Sequence, residues 1–216
     1  MTITSGNFHL DEAVEYKDAM DGCQRFFKRV FDIIFSFLGM VVLSPLFIII
    51  FLCFFLSGGK AIFKQERVGY KGNLFNIYKF RTMVRNAESD GLIPRSLEER
   101  NEKLTKIGRV LRAHHLDELP QLWNVFIGDM SFVGPRPERQ YFIDQINAVT
   151  SNYKYIYLMK PGLTSIATIY NGYTDTLEKM ITRLEMDIEY YTTRSLWQDF
   201  KIIVITGWKI VSGSRF

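Results

Sequence analysis

A chain of 216 residues fits one ordinary domain with an appendage, and 47% hydrophobic with 15% aromatic content excludes a disordered polymer. The formal charge of +4 and pI near 9.0 are mildly basic, which suits a phosphate-bearing partner or an anionic membrane. Cys23 and Cys53 make no disulfide framework, and Cys53 lies inside an apolar run, so a reducing compartment is expected.

Residues 1–22 are polar and locally acidic, with Asp11, Glu12, Glu15, Asp18 and Asp21, and read as a loosely held tail. A basic start before a short apolar core, the mark of a signal peptide, is missing. The sign then reverses at Arg25, Lys28 and Arg29. Residues 33–56 form a run of 24 without a charge, longer than the roughly 20 a helix needs to span a bilayer. Ser44-Pro45 sits at its middle. Pro45 removes a backbone donor and collides with the carbonyl of Val41, and in hydrocarbon that carbonyl needs a partner, for which the Ser44 hydroxyl is at hand. A kinked spanning helix and a re-entrant hairpin both fit this break. Basic residues flank both ends, with Lys60, Lys64, Arg67 and Lys71 following the run, and charge alone leaves the two open.

From Ser57 the pattern changes to that of a water-facing domain. Residues 61–63 and 74–80 read as short strands around a Gly69–Asn73 turn, with Lys79 and Arg81 alternating onto one strand face. Residues 86–100 are charged and read as a surface excursion. Leu104, Ile107, Val110, Leu111 and His114 fall on one helical stripe opposite Lys106, Arg109 and Arg112. Pro120 disfavours helix at Leu119, which puts Asp117 and Glu118 at or just beyond the helix end. Pro135 and Pro137 fix two φ angles around Arg136. Amphipathic helix follows over 138–149, an extended apolar piece over 163–169, and helices over 177–192 and 196–211, the last suited to a protein core or a membrane interface.

The chemistry concentrates at residues 106–138. An Asp-Glu pair is most often a surface feature satisfied by neighbours such as Arg109 or Arg112. Here the pair adjoins a proline break, follows basic residues and precedes a proline-framed arginine, which suits phosphoryl transfer, where positioning and charge neutralisation supply most of the catalysis. A glycosidase pair is disfavoured, because sequence neighbours diverge instead of facing each other across a sugar. A zinc site from His114 and His115 lacks the i, i+4 spacing. Magnesium suits Asp117 and Glu118 better, since it takes one or two carboxylates plus substrate phosphates.

The apolar run with Ser44-Pro45, the segment Ile77-Tyr78-Lys79-Phe80-Arg81-Thr82-Met83, Leu116-Asp117-Glu118-Leu119-Pro120-Gln121, and residues 128–138 (GDMSFVGPRPE) together resemble the bacterial sugar transferase family of small monotopic phosphoglycosyl transferases. The resemblance covers about residues 27–211. It implies an α/β, predominantly helical fold: a polar acidic tail (1–24), a re-entrant membrane helix hairpin (25–57), and a small cytoplasmic catalytic domain (58–216) with short strands and interfacial amphipathic helices. The implied reaction moves sugar-1-phosphate from a nucleoside diphosphate sugar, usually a UDP-sugar, to polyprenyl (undecaprenyl) phosphate, the first membrane step of surface-glycan synthesis.

By the same resemblance Asp117 is the nucleophile and Glu118 its helper at a Mg2+ ion. Lys79, Arg81, Arg112, Arg136 and Asp187 fall on phosphate- or nucleotide-binding positions, and Lys28 and Arg29 on the basic pair at the membrane edge. Ser44 and Pro45 match the break that makes the helix re-entrant. The lipid bilayer is an implied partner at the cytoplasmic face of a bacterial inner membrane; nucleic acid is not, and a homodimer is left open. At this length the chain is expected to lack the additional N-terminal membrane helices of larger members. It departs from the pattern at Thr168 and Tyr173, where family members carry glutamine and arginine, which bears on the choice of sugar and nucleotide.

Overall fold

The computed structural model describes residues 14–84, 102–172 and 174–212. The excursion expected at 86–100 and Tyr173 lie outside the described residues.

Helix α1 (Gly22–Val42) starts where the Asp21 side chain accepts a hydrogen bond from the Gln24 amide at 2.7 Å. Its exposed face carries Phe27, Phe31, Phe35, Leu38 and Val42, while Asp32 and Ser36 are buried against the rest of the protein. Leu43 interrupts the helix, and α2 (Ser44–Leu56) resumes with Pro45 in its first turn, where a missing N–H goes unmissed. Ser44 Oγ donates to the Val41 carbonyl at 2.7 Å, the partner the proline break called for. The two helices bend by 58°. Among the described residues no single helix is long and apolar enough to cross a membrane; the bent pair together meets that test of length and composition.

The eight residues before α1 are not loose. Met20 is fully buried, the Ala19 amide donates to the Tyr191 carbonyl at 3.1 Å, and Asp18 receives two bonds from Arg194 at 2.8 and 2.6 Å and one from Arg25 at 2.8 Å. Acidic composition suggested a loosely held tail; all three Asp18 bonds are charge-assisted, and two of them come from Arg194, 176 residues away, which composition cannot show.

Strands β1 (Ile62–Val68) and β2 (Leu74–Phe80) pair antiparallel, with Phe63 opposite Lys79. Phe80 is buried between them and α2, touching Phe47, Phe51 and Phe54. Beyond β2, Thr82 anchors α3 (Lys106–Ala113): the Thr105 amide donates to the Thr82 carbonyl at 2.9 Å, and the Thr105 hydroxyl caps the helix by accepting from the Gly108 amide at 2.9 Å. A Cβ on Gly108 would lie 1.9 Å from the Thr82 oxygen, so only glycine lets helix and strand end approach this closely. Leu111 is buried as the stripe predicts, but Val110 and His114 are exposed, because the helix is short and only one edge of the stripe meets protein.

Helix α4 (Gln121–Ile127) packs along α1, and β3 (Ser131–Val133) follows. Then come α5 (Gln140–Asn147), a 3-10 stretch (Ser151–Leu158), β4 (Gly162–Thr164), which pairs parallel to β3, and α6 (Ile166–Tyr170). The expected extended piece over 163–169 is therefore half helix: Ser165 accepts from the Thr168 amide at 2.9 Å and starts a helix the apolar run did not signal. Helices α7 (Leu177–Thr193) and α8 (Leu196–Val211) close the main core, where Ile143, Tyr153, Ile188, Tyr190 and Ile202 are buried. Helix α8 keeps Trp197, Phe200, Val204 and Trp208 exposed.

Candidate active site

Helix α3 ends at His114, and His115 adopts a left-handed backbone (φ 53°, ψ 18°) that turns the chain sharply. Histidine tolerates this region better than most residues, and such local strain is commonly kept where a functional group must be aimed. A single 3-10 turn, Leu116–Glu118, then carries the two carboxylates. Leu119 is right-handed helical despite the proline after it, so the chain runs on into α4 instead of breaking there. Asp117 is only 8% exposed.

Because α3 is pinned to Thr82, just past β2, this turn faces the strand, and the Lys79 ammonium donates to Glu118 Oε1. Burial opposes ionisation of Glu118, but Lys79 and then Arg136 overcome it and hold the carboxyl down at about 2. Asp117 moves the other way. Burial pushes its carboxyl up, the Glu118 charge adds to this, and Lys79, Arg112 and His115 offset part of the rise. One carboxylate is thus held ionised against a cation, while burial leaves its neighbour the more basic of the two.

Arg136 arrives on the segment Gly134-Pro135-Arg136-Pro137, which is held from several sides. The Gly134 amide donates to the Thr164 carbonyl at 3.1 Å, the Gly162 amide to Pro135 O at 2.9 Å, and Arg67 to Pro137 O at 3.2 Å. A Cβ on Gly134 would stand 2.2 Å from the Lys160 carbonyl. Arg136 bears on both Glu118 and Arg183, and so lies between the dyad and a second group of charges around Glu138 and Asp187. Arg136, Glu138, Arg183 and Asp187 line one cavity with Tyr153. Burial lifts the Asp187 carboxyl to about 7 against the pull of Arg183.

Of the residues marked out in the sequence, Asp117, Glu118, Lys79, Arg112 and Arg136 come together. Asp187 joins through the Arg136 cavity, while Arg81, just past the strand, holds its guanidinium over the Phe63 ring at 5.8 Å. Lys28 and Arg29 turn towards the domain: Lys28 donates to Val133 O at 2.9 Å and Asp199 at 2.5 Å, and Arg29 to the Val125 and Phe126 carbonyls at 2.6 and 2.8 Å. Asp32 on the next turn accepts from Ser131 Oγ at 3.1 Å and the Phe132 amide at 3.0 Å. The polar face of α1 therefore clamps β3, the strand that leads into the Arg136 segment. Asp32, Asp199, Glu138 and Arg183 escaped the sequence reading. The one available signal was an aspartate just before an uncharged run, which is costly in a membrane helix unless it has protein partners.

The adjacent carboxylates are a donor set that a hard cation accepts, provided phosphate oxygens complete its shell. Among the described residues no group of three or more His, Cys, Asp or Glu side chains is gathered to hold an ion by protein ligands alone.

The bacterial sugar transferase family model matches residues 23–213. The chain is 38% identical over 197 residues to a UDP-glucose:undecaprenyl-phosphate glucose-1-phosphate transferase of Klebsiella pneumoniae, covering 90% of this chain and 42% of that protein. To the protein of the same description from Caulobacter vibrioides it is 41% identical over 182 residues, covering 83% of this chain and 67% of that one. An undecaprenyl-phosphate galactose phosphotransferase of Salmonella typhimurium is 37% identical over 196 residues, covering 85% and 40%. The chain thus spans less than half the length of two of these relatives and two thirds of the third. It belongs to the bacterial sugar transferase family.

Proposed function

We propose that this member of the family transfers a sugar-1-phosphate from a UDP-sugar to undecaprenyl phosphate, by way of a phosphosugar carried covalently on Asp117. The observation that carries the reading is the Asp117–Glu118 pair, with Asp117 buried, under the charges of Lys79, Arg112 and Arg136 and beside the bent apolar hairpin, whose Ile50 and Phe54 pack with Leu116 and Leu119. The relatives' names supply donor and acceptor classes: UDP-glucose in two of them and undecaprenyl phosphate in all three.

An Asp117 oxygen attacks the phosphorus that bears the sugar. A bond forms between that oxygen and phosphorus, the bond from phosphorus to the oxygen bridging the two phosphates breaks, and UMP leaves with the bridging oxygen. A phosphate oxygen of the lipid then attacks the same phosphorus and displaces Asp117, giving the lipid diphosphate sugar. Lys79, Arg112 and Arg136 neutralise charge on the phosphoryl oxygens, and Glu118 keeps Lys79 fixed and ionised. Mg2+, when bound by the dyad carboxylates together with the donor's diphosphate, supplies further neutralisation.

The hairpin enters and leaves the bilayer on one side. Its 58° bend, the Ser44–Val41 bond and the exposed apolar faces of α1 and α2 support that reading, and the bare aromatic face of α8 fits the interface beside it. The proposed location is the cytoplasmic face of a bacterial inner membrane, with the product serving surface-glycan synthesis. The test is UMP release with a panel of UDP-sugars and undecaprenyl phosphate. Repeated turnover that depends on the lipid, with at most one UMP per enzyme released in its absence, supports transfer; repeated turnover without lipid points to hydrolysis, and no release with any sugar favours a membrane-bound scaffold.

A further inference from the structure

Glu138 gathers three guanidinium groups from three separate parts of the chain. Arg183 of α7 lies 3.2 Å from Oε1, Arg67 of β1 3.6 Å from Oε2, and Arg136 3.9 Å from Oε1. The arginines differ in one respect that decides their roles. The side chains of Arg67 and Arg183 are 12% and 10% exposed, whereas that of Arg136 is 38% exposed. Arg67 and Arg183 are also tied to the backbone, by bonds to Pro137 O at 3.2 Å and Gly172 O at 3.0 Å. The Glu138 carbonyl in turn accepts from the Val68 amide at 3.0 Å. Two arginines are therefore fixed struts and the third is the one presented to a ligand.

We propose that Glu138 is a positioning residue that sets the place and heading of the Arg136 guanidinium over the diphosphate of the donor. This rests on the transfer reading of the same site. Arginine stays ionised at any physiological pH, so three guanidiniums drawn together repel unless a carboxylate sits among them. The remaining carboxylate of the cavity, Asp187, is buried with one oxygen that makes no hydrogen bond among the described residues, and burial favours its neutral form, so it is a poor substitute. Without the Glu138 charge, Arg183 and Arg67 push Arg136 away from the cavity. The guanidinium remains on the protein but no longer waits where the phosphates arrive, and fixed orientation is what preorganised electrostatics requires.

The test is a double-mutant cycle on the full chain in detergent, reading the Kd of UDP alone and kcat/KM for a UDP-sugar that is turned over. Glu138→Gln is expected to weaken UDP binding about tenfold in the wild-type background and less than about twofold in Arg136→Ala, because Glu138 acts through that arginine. Equal losses in both backgrounds would overturn the proposal and give Glu138 a general structural role. If Glu138→Gln does not fold, Glu138→Asp takes its place, with a smaller loss expected in the wild-type background and again almost none in Arg136→Ala. A wild type that shows this coupling but transfers no sugar phosphate removes the transfer reading and leaves the role of Glu138 standing. A wild type that does not bind UDP overturns both.

Discussion

Replacing Lys79 with methionine keeps most of the side chain's length and apolar stem and removes only the charge that Glu118 faces. Glu118 is held at about 2 against an ordinary 4.5, a preference for the charged form that amounts to about 3 kcal/mol. Arg136 supplies part of it and remains. Burial lowers the Lys79 ammonium from its ordinary value despite Glu118, which offsets part of this gain. The two side chains are 18% and 29% exposed, so Lys79→Met is expected to cost about 1 kcal/mol of stability at neutral pH. The sign with pH follows from the lowered carboxyl: its contribution is present above pH 4.5 and is lost as pH falls towards about 2. Chemical unfolding in detergent micelles at pH 7 and at steps down to pH 3 measures both quantities. The gap between wild type and variant should narrow on acidification. A variant as stable as wild type at pH 7, or a gap that stays constant down to pH 3, would refute the view that Lys79 holds Glu118 ionised.

Other outcomes can be checked with the same preparation. Gly108→Ala puts a methyl 1.9 Å from the Thr82 carbonyl, so α3 must shift off the strand end and carry the dyad with it. Thermal stability and UMP release should fall together, and an active, stable Gly108→Ala would mean the close approach is not needed. Asp187 is raised to about 7, so the folded protein binds a proton more tightly than the unfolded chain, and this contribution to stability declines as pH rises from about 4 to 7. Asp187→Asn should flatten that decline in thermal midpoints taken across the interval; an unchanged slope would contradict the assignment.

How much of this could be read from residues alone depended on whether local chemistry or distant partners decided the outcome. Helix α8 has the predicted ends, because Ser195 caps its start by accepting from the Gln198 amide and its apolar pattern is long. The break at Ser44-Pro45 was equally plain, since proline's effect is local, and the hydroxyl does meet the Val41 carbonyl. Strand β1 ran further than expected, through Lys64, Glu66 and Arg67, because pairing with β2 outweighs its polar composition. Strand β3 gave no pattern at all: three residues suffice once Asp32, Lys28 and β4 supply their bonding partners.

The site divides in the same way. Asp117, Glu118 and Arg136 stand out by adjacency to one another or to proline, and Lys79 by alternation on a strand. Asp199 and Arg183 lie in ordinary helical sequence and acquire a role only through Lys28 and Glu138, which are 171 and 45 residues away. The acidic segment before α1 misled for the same reason. Asp18 belonged to what read as a loosely held tail, and its partner Arg194 lies 176 residues further on.

The central claim is that Asp117 becomes bonded to the sugar-bearing phosphorus. Intact-protein mass spectrometry of the enzyme mixed with a donor it turns over, without lipid acceptor, tests this directly, followed by mapping of the modified peptide. The account predicts a phosphosugar adduct on Asp117, discharged when undecaprenyl phosphate is added and absent from a membrane-associated Asp117→Asn. An adduct on another residue, or acceptor-dependent UMP release by Asp117→Asn at the wild-type rate, would contradict it.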